Sequence, residues 1–387
     1  MRRSASLQFL FAVTFLCQML VGVVGIAVPI YADRLGASQF LIGLIGAAGG
    51  LTYSFMPLVA GVLCDKFSRK AFVSASLILF GVSCLLYSFF DSPIAFAFIR
   101  SLEWLSIAVF WPALEALLAD SADTRLEETL RRFNVSWGSA MAIGPMVGGV
   151  LISGLSVKTP FLISSSILLV LGVLSVAIVA EPPRKSKGKG VSETRGTTVS
   201  RSSIVVGLAS IFLFSSITGI LLTLFPSYAT DLGIQPFEIG LIAFAFGAAR
   251  AFTFYQAYEI KAKLGGIAMF LLGSSTLALA SLLTCKSTSV PMLTICFLVF
   301  GFGAGVSYAA SISLILGIWS SSRGYAAGIF ESLIGLGYFA GPLIGGFVSE
   351  YAPIAPFIYG FFLSLTVFFI QLLFNGKRST SQAPSSR

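Results

Sequence analysis

Between Arg34 and Asp65 the chain carries no charged residue, and the same holds from Ser4 to Ala32, from Lys70 to Asp91 and from Arg132 to Lys158. Runs of this length are the feature that most restricts the fold. A helix crossing a hydrocarbon core of roughly 30 Å needs about 20 apolar residues. In that medium the backbone must satisfy its own hydrogen bonds, which long helices do within one segment. The chain is therefore expected to be an all-α, polytopic membrane protein. Only 11% of its 387 residues are charged and its mean hydropathy is +0.93, against roughly 25% charged residues in a soluble domain.

Met1-Arg2-Arg3 ahead of an apolar run resembles a secretory signal, but the run is too long for a signal core and counts as the first span. The second and third runs follow. The fourth, roughly Ser92–Ala119, is interrupted by charges; the fifth is bounded by Arg132 and Lys158, and the sixth fills Thr159–Ala180. Residues 181–203, EPPRKSKGKGVSETRGTTVSRSS, are polar, basic and rich in Gly, Ser and Pro, and read as a flexible linker. Six further runs are expected at about Ile204–Thr230, Phe237–Tyr258, Leu264–Cys285, Val290–Ile318, Gly324–Ser349 and Ile354–Phe374. The organisation is thus a bundle over 1–180, the linker 181–203, a second bundle over 204–376 and a tail over 377–387.

The two bundles repeat one another. VPIYADRLGASQFLIGLI at Val28–Ile45 resembles FPSYATDLGIQPFEIGLI at Phe225–Ile242, and GPMVGG at Gly144–Gly149 resembles GPLIGG at Gly341–Gly346, in each case at an offset of 197. A constant offset over so long a stretch points to two parallel halves. Lys and Arg number twenty on one set of connecting segments and three (Arg34, Lys158, Lys286) on the other. By the positive-inside rule both termini and the linker are expected in the cytoplasm.

Other function classes lack their residues. The net charge of +9 lies in loops and forms no nucleic-acid face, and there is no histidine. The five cysteines (Cys17, Cys64, Cys84, Cys285, Cys296) lie in or beside apolar runs without C-x-x-C spacing. No nucleophile–base set, phosphate loop or metal cluster is present, so neither an enzyme, a cofactor nor a metal is expected.

Gly61–Lys70, GVLCDKFSRK, follows the second run and has Gly61, Asp65, then Arg69 and Lys70 at steps of four and five. This matches the G-x-x-x-D-x-x-x-R-K pattern between the second and third helices of the major facilitator superfamily, and span count, linker and repeat extend the resemblance over nearly the whole chain. The resemblance implies twelve helices in two six-helix bundles that rock about a central site. It also implies a cytoplasmic latch, in which Asp65 faces the start of the eleventh span near Arg323–Ala326, Arg69 pairs with Asp120, and Gly61 lets the second span approach its neighbour. Ser68 stands where the family usually has Gly, which bears on the tightness of the turn. The Gly144, Pro145, Gly148, Gly149 element, with Gly138 and Ala140 upstream, matches a fifth-helix pattern associated with exporters. Its copy at Gly341, Pro342, Gly345 and Gly346 favours a packing hinge in both halves.

Ionisable residues at bilayer depth are costly and are usually paired or functional. They are Arg100, Glu103 and Glu115 in the fourth span, Arg250 in the eighth and Glu331 in the eleventh. Arg100 occupies the place of a family arginine linked to proton coupling, although Glu103 and Trp104 replace the family's Gln and Gly. At i, i+3 on one helix face, Arg100 and Glu103 either neutralise each other or form a proton- or substrate-responsive pair. Glu115 belongs either to the latch with Asp120 or to the cavity. Arg250 either pairs with Glu331 or faces an anionic substrate. Trp104, Trp111, Tyr255, Tyr258, Tyr308 and Tyr338 are candidates to line an apolar cavity. The expected function is a proton-coupled exporter of small apolar or amphipathic compounds, monomeric and in the cell membrane. The alternatives are an organic-anion or metabolite uptake carrier using Arg100 and Arg250, and a non-transporting sensor or scaffold.

Overall fold

The computed structural model describes residues 2–121, 126–181, 201–318 and 323–380; the side chains of residues 2–5, 65, 126, 127, 130, 201, 316–318, 323–327 and 375–380 are outside the description. The linker's 182–200 and the tail's 381–387 therefore lie outside the described residues. Thirteen helices are described: α1 (Arg2–Arg34), α2 (Gln39–Lys66), α3 (Arg69–Phe89), α4 (Pro93–Ser121), α5 (Leu126–Gly154), α6 (Thr159–Ile178), α7 (Arg201–Thr223), α8 (Phe225–Asp231), α9 (Pro236–Leu264), α10 (Gly266–Thr284), α11 (Val290–Ile318), α12 (Arg323–Ser349) and α13 (Ala355–Thr380). Twelve spans are long and apolar enough to cross a membrane, with α7 and α8 together forming the seventh. Pro226 at the start of α8 cannot donate the backbone bond that would carry α7 onward without a break.

Helix ends follow local chemistry. Ser38 caps α2 by accepting from the Leu41 amide at 3.3 Å, and Ser68 caps α3 by accepting from Ala71 at 3.2 Å. Beyond α1 the chain reverses at Gly36 (φ 80°), and beyond α8 at Gly233 (φ 79°). The Ala37 amide returns to the Ala32 carbonyl and Ile234 to Ala229, each at 3.0 Å. These left-handed closures need glycine, and they stand at the repeat offset of 197.

Within the first half α1 packs on α5, α2 on α4 and α3 on α6; within the second, α7 packs on α12, α9 on α11 and α10 on α13. The two most extensive cross-contacts between the halves are α2 with α12 and α5 with α9. Their closeness comes from the Gly-Pro elements. A methyl group built on Gly43 of α2 would lie 2.4 Å from the Pro342 carbonyl oxygen and 2.9 Å from Gly346 Cα. One built on Gly240 of α9 would lie 2.8 Å from the Pro145 oxygen and 3.2 Å from Gly149 Cα. The other face of each element packs inside its own half: Gly144 on the Met19 carbonyl, Gly148 on Val23 and Ile26, Gly341 on the Ser216 carbonyl, and Gly345 on Ile220 and Leu224. Each G-P-x-x-G-G element is thus two-sided, and Gly149 and Gly346 are the residues turned to the other half.

Candidate functional site: a cavity between the halves

At the face away from the linker the halves are tied by hydrogen bonds. Gln39 Nε2 donates to Ser227 Oγ (2.7 Å) and Asp231 Oδ2 (3.3 Å), and the Ser227 hydroxyl donates to Asp33 (2.6 Å). The Phe40 amide donates to Glu350 Oε1 and the Phe237 amide to Ser153 Oγ, both at 2.9 Å. Phe237 and Glu350 stand 197 residues beyond Phe40 and Ser153. The start of α2 is therefore capped from the second half, and the start of α9 from the first, by equivalent positions. Free amides at a helix start donate readily to such capping oxygens.

Toward the linker face this contact loosens. The α2–α12 seam still runs to Leu58 and Gly328, where a methyl group on Gly328 would lie 2.4 Å from Leu58. One turn on, nothing lies within 4 Å of the same construction at Gly61, and at Gly138 the nearest atom is Ala251 Cβ at 3.9 Å. Among the described residues nothing approaches Gly61, and the side chains of α12 one turn before Gly328 lie outside them. The side chains of Asp65 and residues 323–327 lie outside the described residues, so the Asp65 contact with the eleventh span does too. Arg69 does meet Asp120 in an ion pair and also donates to the Ala116 carbonyl at 3.3 Å. Lys70 is half-buried beside it.

Glu181 is a member of this cluster that the sequence did not reveal. Its carboxylate accepts from the Arg69 amide at 2.9 Å and from the Ser68 hydroxyl. Ser68 thus does what glycine cannot: it caps α3 and ties the loop to the first residue of the linker. A serine before a helix signals the cap, but nothing in the spacing signals a partner 113 residues away.

The buried charges sort into two groups. Arg100 (6% exposed) and Glu103 (1%) point into the first half. Arg100 reaches both carboxylate oxygens of Glu103 at 2.9 Å, and the Tyr87 hydroxyl of α3 donates to Glu103 at 3.0 Å. Tyr87 packs on Phe96 and Phe161. The pair is buried in the first bundle, with the Arg100 guanidinium also 5.6 Å from the Trp104 ring.

Between the halves lies a different set. The Tyr53 hydroxyl of α2 donates to Glu331 of α12 at 3.0 Å. Trp104 of α4 stands edge-on to Tyr53 (5.5 Å between centroids) and to Tyr338 of α12 (5.2 Å). Tyr308 of α11 contacts Phe214, Phe254 and Phe330. Glu115 of α4 lies within the electrostatic reach of Glu331, Tyr53 and Tyr308. Its side chain is exposed, on the side of α4 that faces Glu331 of the other half. Glu115 thus sits with the cavity residues and forms no ion pair with Arg69. Arg250 (7% exposed) has the Phe246 ring 5.0 Å away, Met141 of the other half against its terminal nitrogen, and Tyr308 and Tyr338 around it. It forms no ion pair with Glu331 or with any other described acid, and its Nε is buried without a partner. Trp111 packs against Phe110 and Phe133 of its own half. Tyr255 and Tyr258 are 84% exposed and stand one and two turns beyond Ala251, the residue of α9 nearest Gly138 of α5.

Outside the spans, Lys158 holds Asp91 at 2.6 Å, and Tyr31 also donates to that carboxylate. The lysine hydrogen bond first, then the tyrosine, keep the Asp91 carboxyl below its ordinary range, and the same contact with Asp91 raises Lys158. No group of three or more potential metal ligands occurs among the described residues.

Known proteins place this arrangement. An uncharacterised MFS-type transporter of Methanocaldococcus jannaschii is 25% identical over 354 residues, covering 88% of this chain and 90% of that one. The quinolone resistance protein NorA of Staphylococcus aureus is 24% identical over 341 residues, covering 86% and 87%. The fold is shared with crystal structures of a variant of the nucleoside transporter NupG (TM-score 0.82, 13% identity, 95% of this chain and 99% of that one) and of a bacterial homologue of the lysosomal transporter Spinster in an inward-facing conformation (0.74, 13%, 96% and 95%). The family model for the Major Facilitator Superfamily matches residues 10–254 and 206–387. With twelve spans and this family match, the chain belongs to the Major Facilitator Superfamily and is a secondary transporter of small molecules, not an enzyme.

Proposed function

We propose that this chain is a proton-coupled exporter of small amphipathic compounds, working as a monomer by alternating access in the cell membrane, with both termini in the cytoplasm. One observation carries the reading: Glu331 of the second half accepts the Tyr53 hydroxyl of the first at 3.0 Å, with the Glu115 carboxylate of the first half within its field. A proton carried by either carboxylate removes a negative charge from the site, and Tyr53 holds Glu331 toward the first half. Proton binding then changes the electrostatic balance across the seam that must open. The likeness to the quinolone resistance protein NorA supports the export direction, and the twenty-to-three asymmetry of basic residues supports the orientation.

A second reading, an organic-anion carrier, rests on Arg250, which meets no acid among the described residues, since Arg100 pairs with Glu103. The test is flux of a ligand panel in proteoliposomes under an imposed pH gradient. Glu331→Gln is expected to abolish proton-coupled accumulation while leaving ligand exchange without a gradient. Retention of gradient-driven flux by both Glu331→Gln and Glu115→Gln contradicts the reading.

A further inference from the structure

We propose that the cavity selects elongated zwitterions: compounds with an acidic group at one end, held by Arg250, and a basic group at the other, facing Glu331 and Glu115. The inference rests on the cavity being the transport site and names the compounds that fit it. Its starting point is Arg250, a guanidinium within a membrane span whose described surroundings are a thioether, a phenylalanine ring and two tyrosines. Aromatic faces attract a cation but do not neutralise it. A buried charge without a counter-charge is costly in any protein and more so at bilayer depth. The contrast inside this chain is direct, because the other intramembrane arginine, Arg100, has its glutamate at 2.9 Å. A guanidinium is also the group best shaped to take a carboxylate through two parallel hydrogen bonds, and Arg250 Nε is left unpartnered.

The acids lie at the other end of the same wall. Tyr338 borders both Arg250 and Glu331. Glu331 stands seven residues from Tyr338 along α12, about 10 Å at 1.5 Å per residue. Tyr53 occupies the Glu331 carboxylate from α2, which leaves Arg250 without it. Between the two poles lie Trp104, Tyr53, Tyr308 and Tyr338, whose rings offer flat apolar walls. Cation, aromatic middle and carboxylates in that order complement an aromatic body with a carboxylate and an amine separated by about two helical turns. A purely cationic ligand leaves Arg250 unpaired, and a purely anionic one meets Glu115 and Glu331.

The experiment uses the full chain in proteoliposomes and three forms of one probe. These are 4′-(aminomethyl)biphenyl-4-carboxylic acid, its methyl ester (cation only) and its N-acetyl derivative (anion only). The intact chain is expected to carry the zwitterion with roughly tenfold higher apparent affinity than either derivative. Arg250→Gln is expected to lose that preference, so that zwitterion and ester compete with equal apparent affinity. Arg250→Lys is expected to keep part of the preference. Equal transport of ester and zwitterion by the intact chain overturns the proposal while leaving the transport reading standing, as does an equal loss of all three probes in Arg250→Gln. If none of the three is carried or competes with a carried ligand, the zwitterion assignment also falls. Gradient-driven proton movement then decides separately whether the proposed function falls with it.

Discussion

The intramembrane charges that look alike in the sequence separate once their neighbours are known. Arg100 and Glu103 were legible as a pair because i, i+3 spacing brings two side chains onto one face whatever surrounds them. Tyr87 was not legible, since its approach depends on how α3 is rotated against α4. The isolation of Arg250 was likewise hidden, because a partner on another helix leaves no mark in spacing. Removing one member of a buried pair strands the other at a cost of about 3–5 kcal/mol, whereas replacing both with apolar residues is often neutral. Arg100→Met is therefore expected to lower thermal stability strongly, and Arg100→Met with Glu103→Leu to recover most of it with transport intact. A double variant that is stable but transport-dead would return the pair to the mechanism. At the surface, Asp91 and Lys158 give a pH signature. The Asp91 carboxyl is lowered in the fold, so its contribution is present above the ordinary value of 3.8 and is lost as pH falls through the lowered one. Lys158 is raised, so its contribution is full below 10.5 and is lost as pH rises through the raised value. The melting temperatures of the intact chain and Asp91→Asn are expected to differ between these limits and to converge in acid; a constant difference at all pH values contradicts the pairing.

At the scale of elements, the constant 197-residue offset proved more informative than either motif alone. It anticipated the pairing of Gly36 with Gly233 and of the two Gly-Pro elements, because repeated halves repeat their contacts. It did not say that Gly149 and Gly346 would turn to the opposite half, since which side of a helix meets which neighbour is set by the assembled packing. The glycines now divide into tight and open ones. Gly43→Ala puts a methyl group 2.4 Å from the Pro342 oxygen, so the seam must shift or the fold must weaken. Gly61→Ala meets no described atom within 4 Å and is expected to hold or slightly raise the melting temperature. The bulkier Gly61→Leu is expected to spare stability and to slow transport at least severalfold, because α2 must close at this end in each cycle. Equal stability loss at Gly43 and Gly61, measured by thermal unfolding, contradicts this division.

Over the whole molecule, closure and opening are placed at opposite faces by different means. The closed face is held by reciprocal caps, Phe40 on Glu350 and Phe237 on Ser153, with Gln39, Ser227, Asp33 and Asp231 between them. The other face holds Arg69, Asp120 and Glu181 around the loop after α2. Spin-label distances across both faces measure this relation directly, with the five native cysteines replaced by alanine. One label pair, at Leu155 and Leu232, spans the capped face; another, at Phe67 and Lys263, spans the linker face. Removing the two caps with Ser153→Ala and Glu350→Ala is expected to lengthen the first distance and shorten the second together, in the same fraction of molecules. Lengthening of both distances, or of the first alone, would contradict an alternating cavity between two rocking halves.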